Sequence, residues 1–170
     1  TNNKRLYSTK LVGLDEYFDE MIKLYDAKKF PKVLLLNGKK GIGKFTLIMH
    51  LISYIFSKNE KIPYNTDEKI LNENSFFYNS FLTKTLQDII LIQAEENKDV
   101  KINDIRALKS TLTNSSLSDN PRFIIIDEVE FLNANSVNAL LKTLEEPSGN
   151  NFFILINNQQ KKLLETISSR

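Results

Sequence analysis

A chain of 170 residues is of single-domain length and can bury roughly two thirds of its unfolded surface without covalent support. Hydrophobic residues make up 41% and charged residues 26%, ordinary for a globular domain, while the absence of cysteine excludes disulfides and thiolate metal sites. The net charge of +2 is too small to announce a nucleic-acid protein, no apolar run reaches membrane-spanning length, and the start lacks a signal-peptide layout, so a cytoplasmic location is expected.

Residues 1–13 are polar and mixed and lead into a helix from Asp15 to about Lys28, where Phe18, Met21, Ile22 and Tyr25 recur at helical spacing. Pro31 ends it. Val33 to Leu36 is a short apolar run read as a buried strand, and a helix is expected from Lys44 to about Phe56. His50, on that helix, reads as a packed or half-exposed bystander. The polar stretch 57–75 reads as a surface excursion, and 76–88 fits either a helix or an irregular aromatic segment. Ile89 to Ile92 is a second strand. Asn103 is expected to cap a helix carrying Ile105, Leu108 and Leu112, and Asn120 with Pro121 forms a turn. Phe123 to Ile126 is the most hydrophobic strand. A helix striped by Val137, Leu140, Leu141 and Leu144 follows and closes at Pro147, and Phe152 to Ile156 is the last strand. Alternation of this kind predicts an α/β fold: a three-layer parallel sheet with helices on both faces, in one domain over 1–170. The ends of the chain read as those of a piece cut from a longer protein.

Ligands of such sheets gather at the carboxyl ends of the strands, where three signals fall. Gly38, Gly41, Gly43 and Lys44 nearly complete the phosphate-loop pattern GxxxxGK[ST], in which backbone N–H groups, a helix N-terminus and an ammonium cradle phosphate. Phe45 stands where a hydroxyl should ligate magnesium, and Thr46 is turned away by about 100°. A tight turn with incidental glycines is the plainer reading of the loop. Asp127 and Glu128 end the strongest strand as the pair that orients magnesium and polarises water would; solvated acids at a strand end are the alternative. Asn157 ends the next strand, placed to orient the same water, touch a terminal phosphate or simply cap a turn.

VNALLKTLEEP at 137–147, downstream of FIIIDEVEFLN and followed by FFILINNQQKKLLETISSR, resembles the core domain of clamp-loader ATPases of the AAA+ class, from about Gly13 to Arg170. The resemblance implies a P-loop NTPase core and a hetero-oligomer of clamp-loader subunits that opens a sliding clamp and places it on primed DNA. KINDIRALKSTLTNSS and the altered loop favour a non-motor member. The resemblance also implies that Ser169 and Arg170 begin the motif whose arginine reaches a neighbour's nucleotide, a planar permanent charge suited to a developing phosphoryl charge. A solvated terminal charge is the other reading. No cofactor is expected. Phe45 counts against ATP with magnesium, leaving Gly38, Gly41, Gly43 and Lys44 as a weak or vestigial phosphate site and Asp127 and Glu128 with little chemistry. Zinc is not expected because 57–82, where family members often carry a four-cysteine module, holds no cysteine. Glu145 and Glu146 stand in the last turn of a helix, where the macrodipole disfavours acids, and are expected either to face basic residues of an adjoining subunit or to be solvated. Scattered lysines leave direct DNA contact open.

Overall fold

The computed structural model describes residues 7–94, 102–114, 120–145 and 149–168. The chain folds as two compact units, Thr1–Phe30 with Gly41–Gln87 and Pro31–Lys40 with Asp88–Arg170.

The second unit holds a sheet of β1 (Val33–Asn37), β2 (Ile89–Gln93), β3 (Arg122–Asp127) and β4 (Asn151–Asn157), ordered β1-β4-β3-β2 and parallel throughout. Each apolar run seen in the sequence became a strand, because branched and aromatic side chains fit a pleated surface buried on both sides. Every residue of β3 and β4 is buried, as a three-layer arrangement requires of its central strands. One face carries Ile124, Ile126, Phe153 and Leu155 into a core with Ile105 and Leu108 of α4 (Ile102–Asn114), Leu140 of α5 (Ala134–Glu145) and Ile167 of α6 (Glu165–Ser168). On the other face Phe123 and Phe152 stack with centroids 5.1 Å apart. Asn103 lies inside α4, in its first turn, instead of capping it from outside. The register sets Asn37 beside Asn157 and Gln93 beside Asp127, so the polar strand ends form one carboxyl edge.

The first unit is built on α2 (Lys44–Phe56), of which all residues but Tyr54 and Phe56 are buried, so it is a core helix rather than an amphipathic surface one. Phe18 of α1 (Asp15–Asp26) is fully buried and packs edge-on against His50, with Tyr64 5.4 Å away. Residues 76–82 are helical, as α3 (Phe76–Leu82). The stretch 57–75 departs from a simple surface excursion. Tyr64 and Leu71 are buried, the Leu71 N–H donates to the Thr9 carbonyl at 2.7 Å, and Ser57 Oγ accepts from the Tyr64 N–H at 2.8 Å. The Glu60 carboxylate accepts from the N–H groups of Phe76 and Phe77 at 3.1 and 2.8 Å, and Ser75 caps α3 through the Tyr78 N–H. The bonds from Leu71 to Thr9 and from Glu60 to Phe76 and Phe77 span 62, 16 and 17 positions, which is why polar composition concealed them.

His50 is completely buried, one of the two outcomes expected for it. Its Nε2 faces the Ser8 carbonyl at 3.4 Å and must donate, leaving Nδ1 to accept from the Tyr64 hydroxyl at 2.6 Å. Burial lowers its pKa from 6.5 to about 4 against a smaller opposing pull from the Ser8 carbonyl. The unfolded chain therefore takes up this proton near pH 6.5 and the folded one only near 4. Stability is untouched above that window and is lost as the pH falls through it, by roughly 3 kcal/mol in total at about 1.4 kcal/mol per unit. Chemical denaturation at pH 7.5 and 4.5 should show this extra loss in the native protein and its absence in His50→Gln; equal losses refute the assignment.

Candidate functional site

Two glycines of the loop have left-handed backbones, Gly41 at φ 87° and Gly43 at φ 98°, a region that side chains other than glycine enter at a cost. Gly43 is the N-cap of α2, without a side-chain cap bond, and a Cβ there would meet Leu14 Cδ1 at 3.3 Å. Gly38 serves differently: its N–H donates to the Asn157 carbonyl at 3.2 Å and prolongs the β1-β4 pairing past the strand end. Lys44 opens α2 and is buried.

The hydroxyl position of this loop holds a phenyl ring, which offers a metal no oxygen. Phe45 is buried there and stacks on Tyr7 with centroids 6.0 Å apart at 24°, and Tyr7 in turn meets Tyr78 and Phe81 edge-on. Thr46 is buried as well, and its Oγ1 accepts the Ser8 N–H at 3.0 Å. The neighbourhood is an aromatic core, with Phe56 and Phe81 stacked on Phe77 beyond it. Nothing in the local sequence announced Tyr7 as the partner of Phe45.

At the sheet edge, Asp127 is buried and its Oδ1 accepts from the Glu128 N–H at 2.9 Å and from Asn158 Nδ2 at 3.4 Å. Desolvation raises its pKa, partly countered by the Glu128 N–H. Glu128 adopts a left-handed backbone, φ 56° and ψ 44°, uncommon for a residue with a side chain and frequent where a strand end is put to use. Its Oε1 accepts from Lys40 Nζ at 2.8 Å and from Gln160 Nε2 at 3.0 Å. Asn157 is engaged at both ends of its amide: Nδ2 donates to Asn37 at 2.9 Å, and Oδ1 accepts the Gln159 N–H at 3.0 Å. Both ends of its amide thus have partners at the sheet edge.

Lys40, Glu130 and Gln160 were not singled out from the sequence. Glu130 is buried, and its two carboxylate oxygens accept the Asn158 N–H at 3.1 and 3.2 Å, so it ties the loop after β4 to the turn after β3. The acid-every-other-residue run Glu128, Glu130 was its only visible trace. Among the predicted interface residues, Glu145 is exposed at the end of α5. Glu146, Ser169 and Arg170 lie outside the described residues.

The protein-family model described as "DNA polymerase III, delta subunit" matches residues 13–170. The chain is 34% identical over 137 residues to the DNA polymerase III subunit delta' of Pseudomonas aeruginosa, covering 80% of this chain and 40% of that protein. It is 35% identical over 137 residues to the delta' subunit of Bacillus subtilis, covering 80% and 39%. To the tau subunit of Bacillus subtilis it is 32% identical over 143 residues, covering 84% and 24%. The chain thus spans less than half of the length of the delta' relatives it matches. A solved structure of a DNA polymerase III gamma subunit-related protein from Thermotoga maritima superposes with a TM-score of 0.53 at 23% identity, covering 92% of this chain and 42% of that one, and shares the α/β P-loop fold. With its glycine loop, its strand-terminal acids and its LLKTLEEP segment all inside the matched range, the chain belongs to the DNA polymerase III delta subunit family as a delta-prime-like member.

Proposed function

We propose that residues 1–170 are the AAA+ core of a clamp-loader subunit that hydrolyses ATP poorly or not at all and supplies Arg170 to the active site of a neighbouring ATPase subunit. The observation that carries the reading is the burial of Phe45 against Tyr7 at the position where a magnesium-ligating hydroxyl belongs. With Thr46 already bonded to Ser8, the loop can offer phosphate its glycine backbone and Lys44 but no hydroxyl for the metal. Ser169 and Arg170 follow α6 directly in the chain, and in this reading they meet the partner's nucleotide. Glu145 and Glu146 face basic residues of that or another subunit. The partners are other clamp-loader subunits and, through them, the sliding clamp and primed DNA, in the cytoplasm; among the described residues no helix is long and apolar enough to cross a membrane.

A motor-subunit reading draws on the 32% identity to a tau subunit and on Asp127 and Glu128 at the end of β3. Titration of the full-length protein with ATP, with and without magnesium, separates the two. The expected result is weak binding that magnesium does not strengthen and no turnover by the protein alone. Tenfold tighter binding with magnesium, accompanied by hydrolysis, overturns the proposal in favour of the motor.

A further inference from the structure

Lys40 comes from the glycine loop itself, yet its ammonium is already occupied by an anion of the same sheet edge. Nζ donates to Glu128 Oε1 at 2.8 Å and to Gln160 Oε1 at 3.3 Å, while Gln160 Nε2 donates to that same glutamate oxygen at 3.0 Å. Three side chains, from the loop after β1, the turn after β3 and the loop after β4, close a ring. Gln160 is suited to it because an amide donates with one end and accepts with the other. Glu128 reaches the ring from a left-handed backbone, and Glu130 fixes the far side by accepting the N–H groups of Asn158 and Gln160, at 3.1 and 3.4 Å to one oxygen. Asp127 and Glu130 add their attraction for Lys40 to that of Glu128.

The consequence for an anionic ligand follows from charge. A phosphate approaching Lys40 meets an ammonium already paired with a carboxylate. We propose that Glu128 is an internal competitor for phosphate: its clasp on Lys40 and Gln160 holds nucleotide affinity down, and a bound phosphate opens the clasp by taking Lys40. This rests on the reading of the loop as a weak phosphate site, and it adds the device that keeps it weak. The clasp is displaceable for a physical reason. The Lys40 side chain is 62% exposed, so water competes for its ammonium, although Glu128 is only 18% exposed. A ligand that binds only the open arrangement then shifts the population by its differential affinity.

The test measures magnesium-free ADP binding to the full-length protein, which excludes any effect of blocked hydrolysis. Glu128→Gln keeps the shape of the side chain and removes its charge. It should tighten ADP about fivefold, equivalent to about 1 kcal/mol. In a Lys40→Met background the same substitution should change affinity less than about twofold, because there is no ammonium left to release. Equal tightening in both backgrounds would mean that Glu128 merely repels the ligand, and overturns the proposal. So does unchanged or weaker binding in Glu128→Gln, or no ADP binding by any of the four proteins. Supply of Arg170 to a neighbour is read separately, as turnover of the assembly, so failure of either idea leaves the other standing.

Discussion

Replacing Arg170 by alanine in the full-length protein is expected to leave its melting temperature unchanged and to slow ATP turnover at the neighbouring subunit's site by roughly 10³-fold, the low end of what an arginine finger contributes. The reason is electrostatic. A guanidinium is permanently charged and planar, so it can neutralise charge spread over the oxygens of a transferred phosphoryl with two parallel hydrogen bonds. Arg170→Lys should stay slow, since an ammonium keeps the charge but lacks the fork. Turnover in a reconstituted assembly, read beside the thermal melt of the isolated subunit, decides the matter. Equal rates with and without the side chain remove the finger role from this chain. In the same assembly, reversing the charges of Glu145 and Glu146 to lysine should weaken subunit association; association at full strength would mean that these acids face solvent.

The second large effect concerns stability. Phe45→Thr, the change that would restore a hydroxyl to the loop pattern, is expected to destabilise the fold by about 3–4 kcal/mol, because it removes a buried ring from a packed aromatic cluster and leaves a cavity. Tyr7 loses its stacking partner, and the exchanged hydroxyl is itself buried. Urea denaturation of the native protein and the variant reads this directly. A loss below about 1 kcal/mol would show that the Phe45 pocket collapses without cost, and would leave the missing hydroxyl as an easily reversed change. The expected loss follows from the place of Phe45 in the core, buried and stacked on Tyr7.

The sequence by itself determined the four strands, the helices around 15–26, 44–56, 102–114 and 134–145, and the residues placed at the carboxyl edge, while it left 76–82 open between helix and irregular segment and did not order the strands. The runs 33–36, 89–92, 123–126 and 152–156 all lie within strands, and the stripe Val137, Leu140, Leu141 and Leu144 belongs to α5. These features are legible because burial leaves a periodic mark: two residues per repeat in a strand, 3.6 in a helix, or an unbroken apolar run where both faces are covered. Gly41, Gly43, Asp127, Glu128 and Asn157 could likewise be placed, since glycine turns and strand ends are local events. Only the tertiary structure decided what those residues touch. Lys40 meets Glu128 across 88 positions of sequence, Asn158 meets Glu130 across 28, and Ser8 meets Thr46 across 38. The excursion at 57–75 is anchored by Tyr64 and Leu71, and Phe45 lies on Tyr7. Such pairs leave no period behind them. A hydropathy pattern records that a side chain leaves water, whereas its partner is chosen by the path of the backbone, which brings distant polar and aromatic groups within hydrogen-bonding or stacking distance only once the chain has folded.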